Sequence, residues 1–205
     1  MRIIEYRDVN CSPEASSQAA VLSKLVMPEL ERDYKLGLPS DYVTARKHIR
    51  DQLEKILTVL DGNLDGKRIL DLGCGAPNSF DNYDPLEFGS CRQFEPWLCR
   101  ALSEFEHNPS AYDFKIGPHP IGIDISHLDH ERFERYRVDI SVPGSLNVVI
   151  DHSIDLVNVS ELLGSATLNE RIGKDYKSFR ATLLDQTDRV LKPEGILLFD
   201  GPIYE

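Results

Sequence analysis

Ile69-Leu70-Asp71-Leu72-Gly73-Cys74-Gly75-Ala76-Pro77-Asn78 runs from an apolar stretch of strand length into a glycine-rich turn. Gly73 and Gly75 have no β-carbon, so the backbone there can turn tightly and let a ligand approach closely. Exposed amides in such a turn can bind a carboxylate or a phosphate. Alone, a Gly-x-Gly after a strand is a weak signal, because ordinary strand-to-loop turns look the same. The sequence on either side decides its meaning.

Toward the C-terminus, short apolar runs alternate with helical or loop stretches. The runs cover residues 68–72, 121–124, 137–140, 154–159 and 196–200. Both faces of these runs are apolar, which fits parallel strands covered by helices, and the alternation predicts a doubly wound α/β sheet. Two crossover helices stand out. Residues 96–105 put Trp97, Leu98, Ala101, Leu102 and Phe105 on one face, and residues 176–191 do the same with Tyr176, Phe179, Leu183 and Val190. Core packing is the simplest account of both stripes. The connections after Asp124 and Asp139 are short, with room for a helical turn at most.

Toward the N-terminus, residues 1–66 read as a helical cap without a nucleotide motif, and residues 67–205 as the ligand-binding domain. Ser12-Pro13-Glu14 is a helix start: a capping Ser, Pro at the first position and an acid near the positive end. Leu22, Leu25, Val26 and Leu30 follow with helical spacing, and Pro28 is expected to kink or end that helix. A second helix is expected after Ser40, with a stripe of Tyr42, Ala45, Ile49, Leu53, Ile56 and Leu60.

Composition narrows the function classes. The 205 residues are 41% hydrophobic and 28% charged, ordinary for a globular chain. Lys plus Arg total 23 against 34 Asp plus Glu, a net charge of -11. That balance argues against nucleic acid, whose binders neutralise many phosphates, and mildly favours a cationic ligand. No apolar run approaches the roughly 18 residues of a membrane span, and charges interrupt the N-terminus too often for a signal peptide. Cys11, Cys74, Cys91 and Cys99 form no Cys-x-x-Cys pair and no zinc spacing. Reduced thiols, a cytoplasmic setting and no metal are the expectation.

The order of the strand-end motifs resembles class I S-adenosylmethionine-dependent methyltransferases, over roughly residues 67–200. The segment ending Asp71-Leu72-Gly73-Cys74-Gly75 resembles that family's first motif. Gly122-Ile123-Asp124-Ile125-Ser126 looks like its second strand, Arg137-Val138-Asp139-Ile140 its third, Ser153 to Ser160 its fourth, and the segment from Val190 through Lys192-Pro193-Glu194-Gly195 to Leu198 its turn and fifth strand. The resemblance implies a Rossmann-like fold that binds S-adenosylmethionine and methylates a small molecule. It assigns Asp71, Gly73, Cys74, Gly75, Asp124, Ile125, Asp139, Ile140 and Asn158 to the cofactor. Within that assignment Asp124 accepts from the ribose diol, Asp139 from the adenine amine, and the Ile140 amide donates to a ring nitrogen. Asp71 orients the glycine loop or the amino group of the methionine part.

The departures carry expectations too. Pro77 replaces the family's third glycine, and residues 76–93 form an inserted loop, read as a lid together with the helix after Ser40. Gly-x-Gly-x-x-Gly is absent, which disfavours a nicotinamide dehydrogenase. Glu161, His127 and His152 lie near strand ends without marking themselves as a base, and Arg46 and Arg50 are candidates for the cofactor carboxylate. The last two strands of the family are missing. That favours the alternative of a catalytically silent cofactor-binding subunit, and it leaves the 196–199 edge to be covered either by Arg2-Ile3-Ile4-Glu5-Tyr6 or, the favoured reading, by a homodimer partner.

Overall fold

The computed structural model describes residues 1–77, 91–160, 162, 168, 172, 173 and 175–200. Its sheet has six strands: β1 (Arg2–Glu5), β2 (Arg68–Leu72), β3 (His119–Asp124), β4 (Glu134–Arg137), β5 (Ile154–Val159) and β6 (Leu191–Phe199). Their spatial order is β1-β6-β5-β2-β3-β4, and every neighbouring pair is parallel. The chain starts its central strand at β2, moves outward to β3 and β4, then returns to the other side for β5 and β6. The direction therefore switches between β2 and β5. Because all strands are parallel, the residues following them gather on one edge: Tyr6, Gly73, Ile125, Val138, Ser160 and Asp200.

Helices cover both faces, as the two-sided apolar runs require. On one face α1 (Pro13–Tyr34), α2 (Pro39–Val59) and α3 (Trp97–His107) share a core with Ile69, Leu156, Ile196 and Leu198. On the other, α4 (Tyr176–Val190) and a 3-10 turn (Ser145–Val148) pack on Leu70, Leu72, Ile121, Ile123, Val157, Val159, Leu197 and Phe199. The alternation along β2, β5 and β6 follows the period of two. It sends Asp71 and Asn158 to the same face as Ile69 and Leu156.

Four expectations are corrected. The helix expected to kink or end at Pro28 does not end there but runs on to Tyr34, with Val26, Met27 and Leu30 buried on both sides of the proline. Packing against α2 outweighs the missing N–H, and Leu25 is half-exposed rather than part of the buried stripe. The third motif strand lies earlier than residues 137–140: it is β4, a short charged edge strand, and Asp139 follows it. The N-terminal region is not wholly helical, since residues 2–5 form a strand. That strand also removes the edge argument for a homodimer. Ile3 pairs with Leu197, Ile4 with Leu198 and Glu5 with Phe199, so the N-terminal segment covers β6 within one chain.

Other readings hold. Ser12 caps α1 by accepting the Ala15 amide at 3.1 Å, and Ala45, Ile49, Leu53 and Ile56 of α2 are fully buried. Cys11, Cys74 and Cys99 are free thiols. No helix among the described residues is long and apolar enough to cross a membrane.

Removing residues 1–8 strips β6 of its partner on the outer side, and an unpaired edge recruits other chains. The expected result is a large fall in melting temperature, with a scattering mass that rises with concentration. An unchanged melting temperature and a monomeric mass would show that β1 does not hold the edge.

Candidate functional site

In an open parallel sheet, ligands bind outside the carboxyl ends of the strands where the strand order reverses. Here that place is the crevice between β2 and β5, and the glycine turn leaves β2 directly into it. Gly73 and Gly75 both adopt left-handed backbone, with φ of 69° and 86°. A β-carbon at Gly73 would stand 2.6 Å from Leu162 Cδ1, and one at Gly75 would collide with the Phe94 carbonyl. Both glycines are thus demanded by conformation and by protein packing.

The turn's amides have acceptors inside the protein. Gly73 and Cys74 donate to the Ile123 carbonyl at 2.8 and 3.2 Å, and Ala76 donates to Phe94 O at 3.0 Å. Gly75 donates to Asp124 Oδ2 at 3.1 Å. The expected role of these amides as an open anion cradle is therefore not what this conformation offers. They fasten the turn to β3 and orient an acid.

Asp124 ends β3 next to that turn. Its Oδ1 accepts the Ser126 amide at 2.8 Å while Oδ2 holds Gly75. A carboxylate has about four lone-pair sites, so two hydrogen bonds leave capacity for two more donors. Ile125 is half-buried beside it. Asp139 accepts from the Ser141 amide at 3.0 Å and hydroxyl at 2.6 Å, and Ile140 is buried.

Asp71 and Asn158 face each other in register across β2 and β5. Asn158 is fully buried, and both ends of its amide are bonded within the protein. Nδ2 donates to Asp71 Oδ1 at 2.8 Å and to Gln52 Oε1 at 3.2 Å, while Oδ1 accepts the Tyr6 hydroxyl. Asp71 also accepts from the Cys99 thiol at 3.7 Å. Burial pushes the Asp71 carboxyl up to about 7 against these hydrogen bonds, with Asp124 adding to the rise. Burial likewise raises the Tyr6 phenol, with Asp71 adding to it, and both Cys74 and Cys99.

An ion-pair cluster braces the β3 side. Arg100 is buried and donates to both Glu131 oxygens, with Nη2 at 2.6 Å from Oε1. It also pairs with Glu95, and its guanidinium lies 3.9 Å from the centre of the Tyr34 ring and 4.6 Å from that of Trp97. Glu131 belongs to the segment after Asp124, and Glu95 follows the Phe94 that packs on Gly75. One cation thus ties both sides of the turn to α3. Trp97, read as core, is core and also part of this stack.

Sequence reasoning missed Tyr6, Gln52, Cys99 and Arg100. Cys99 and Arg100 sat in or beside an apolar helical stripe, and Tyr6 and Gln52 reach Asn158 only through long-range packing. Among the residues weighed as bases, His152 precedes β5 and lies at the opposite edge of the sheet, where it bonds the Leu191 carbonyl at 3.1 Å. His127 is exposed beside Arg137 and Asp129. Arg46 is half-buried and Arg50 exposed. Glu161 and residues 78–90 of the expected lid lie outside the described residues. Among the described residues, no three His, Cys, Asp or Glu side chains are placed to hold a metal ion.

Compared with models of protein families, with curated proteins and with solved structures, the chain has no match.

Two stability measurements test this network. Tyr6→Phe leaves the Asn158 carbonyl oxygen without a donor, at an expected cost of about 1–3 kcal/mol in urea denaturation. A loss under about 0.3 kcal/mol would show that the hydroxyl contributes no such bond. For Asp71, the ordinary value of 3.8 is raised to about 7. Between those values the folded chain keeps a proton that the unfolded chain has released. Stability therefore falls as pH rises through this window, by up to about 1.4 kcal/mol per pH unit, and the full penalty is present above it. Asp71→Asn is expected to flatten that slope; an identical slope in the variant would place the titration elsewhere.

Proposed function

We propose that the chain binds S-adenosylmethionine in the crevice between β2 and β5 and transfers a methyl group to a small-molecule acceptor. The observation that carries this reading is the hydrogen bond from Gly75 to Asp124. It joins the two motifs on which the family resemblance rests, and it aims a carboxylate with spare lone pairs at the glycine turn.

The residues present suit the cofactor's chemistry. Asp124 can accept both hydroxyls of a ribose, as charge-assisted bonds do well. Asp139 and the Ile140 amide, beyond β4, supply the acceptor and donor that an adenine edge needs. Gly73 and Gly75 let the turn pack on Leu162 and Phe94 and so present Asp124 to the crevice. Asp71, buried beside the crevice, would pair with the amino group of the methionine part. When bound, the cofactor supplies an electrophilic methyl on a sulfonium, and the protein's task is to position two reactants and exclude water. The alternative of a silent binding subunit drew on a sheet short of its last strands. With β1 paired to β6 that argument loses its support, and methyl transfer is the reading we retain.

Calorimetry with S-adenosylhomocysteine tests binding. Asp124→Ala removes a charge-assisted contact of about 2 kcal/mol, so affinity should fall roughly thirtyfold. Unchanged affinity would take Asp124 out of the site, and no binding by the parent chain would overturn the family reading. Methyl transfer to metabolite pools separates the enzyme from the silent binder.

A further inference from the structure

Asp71 is a carboxyl group with 4% of its surface exposed, and the groups bonded to it are neutral. Its oxygens take the Asn158 amide and the Cys99 thiol. The surroundings can be followed element by element. The segment after β1 brings the Tyr6 phenol, and α2 brings Gln52, whose amide nitrogen lies 2.6 Å from His48 Nε2. The turn brings Cys74, α3 brings Cys99, β3 ends in Asp124, and Asp200 follows β6, within the electrostatic reach of Tyr6. No Arg or Lys among the described residues pairs with Asp71, and the like charge of Asp124 acts on it.

A buried carboxyl without a counter-charge keeps its proton, because ionisation would strand a charge in a poorly solvated place. A ligand ammonium at the crevice reverses this, since an adjacent cation favours the ionised form. We infer that binding in this crevice is proton-coupled: the ligand's ammonium group docks against Asp71 as Asp71 releases its proton to solvent. The carboxyl O–H bond breaks, the proton passes to buffer, and a carboxylate–ammonium pair remains, so one positive charge enters with the ligand and one leaves as the proton. The inference rests on the S-adenosylmethionine reading and adds a pH-gated affinity to it. With the free carboxyl held at about 7, the gate falls near neutrality.

The test is calorimetry with S-adenosylhomocysteine, which carries the same ammonium, in two buffers of different ionisation enthalpy. At about pH 6 close to one proton should be released per ligand bound, and at about pH 8 very little; affinity should be roughly tenfold tighter at the higher pH. Asp71→Asn should abolish both the release and the pH dependence. Carbon-13 spectra of aspartate-labelled parent chain follow the same carboxyl without a substitution: a midpoint near neutrality in the free protein that moves down in the complex supports the coupling. Binding by the parent with equal affinity at both pH values and no proton release would overturn the coupling and leave the cofactor reading intact. Release that persists in Asp71→Asn would also overturn it, by assigning the proton to another group such as His48. No binding at either pH would overturn the cofactor reading and this inference with it.

Discussion

The hydrogen bond from Asn158 to Asp71 spans the two strands between which the sheet changes direction. Everything near the crevice is arranged around it. Parallel register brings the two side chains level, and the period of two points both toward the helices of one face. A polar pair in that position has to be completed, since an unpaired amide there is costly. Gln52 from α2 and the Tyr6 hydroxyl complete Asn158, and Cys99 from α3 completes Asp71. Elements distant in sequence thus converge on one point because a single buried amide needs them.

The glycine turn obeys a different constraint. Its amides are spent on Ile123, Asp124 and Phe94, and its missing β-carbons make room for Leu162 and for the Phe94 backbone. The conformation of the turn follows from packing with β3 and α3. Arg100 extends this arrangement: by pairing with Glu131 and Glu95 while stacked on Tyr34 and Trp97, it fixes the two chain segments flanking the turn. The acid at the end of β3 is oriented by neighbours that are themselves held rigidly.

Much of the fold was legible because strands buried on both faces leave continuous apolar runs. β2, β3, β5 and β6 all announced themselves so, and the acids Asp71 and Asp124 near the ends of β2 and β3 marked one edge. β4 did not. Its residues Glu134, Arg135, Tyr136 and Arg137 pair on one side only and carry charge, so the more apolar stretch after it attracted the assignment. Pro28 misled for a related reason, since local propensity speaks for an isolated helix and α1 is held by its burial against α2. In the site, Asp71, Asp124 and the glycines were visible as punctuation at strand ends. Tyr6, Gln52 and Arg100 were invisible, because the distant partner that gives each its role lies 31 to 152 positions away and nothing local signals it.

The pairing of β1 with β6 joins the first and the sixth of the described strands, with Arg2 opposite Ile196. Local contacts form quickly, whereas a contact between chain ends waits for the segments between them to be placed. During synthesis the first strand emerges long before its partner exists, and Tyr6 cannot reach Asn158 until β5 is built. β1 gains its place in the sheet, and Tyr6 is held beside Asn158, only once β6 has been made. A chain halted before residue 196 therefore lacks the strand that β1 pairs with, and Tyr6 has no paired segment to carry it to Asn158.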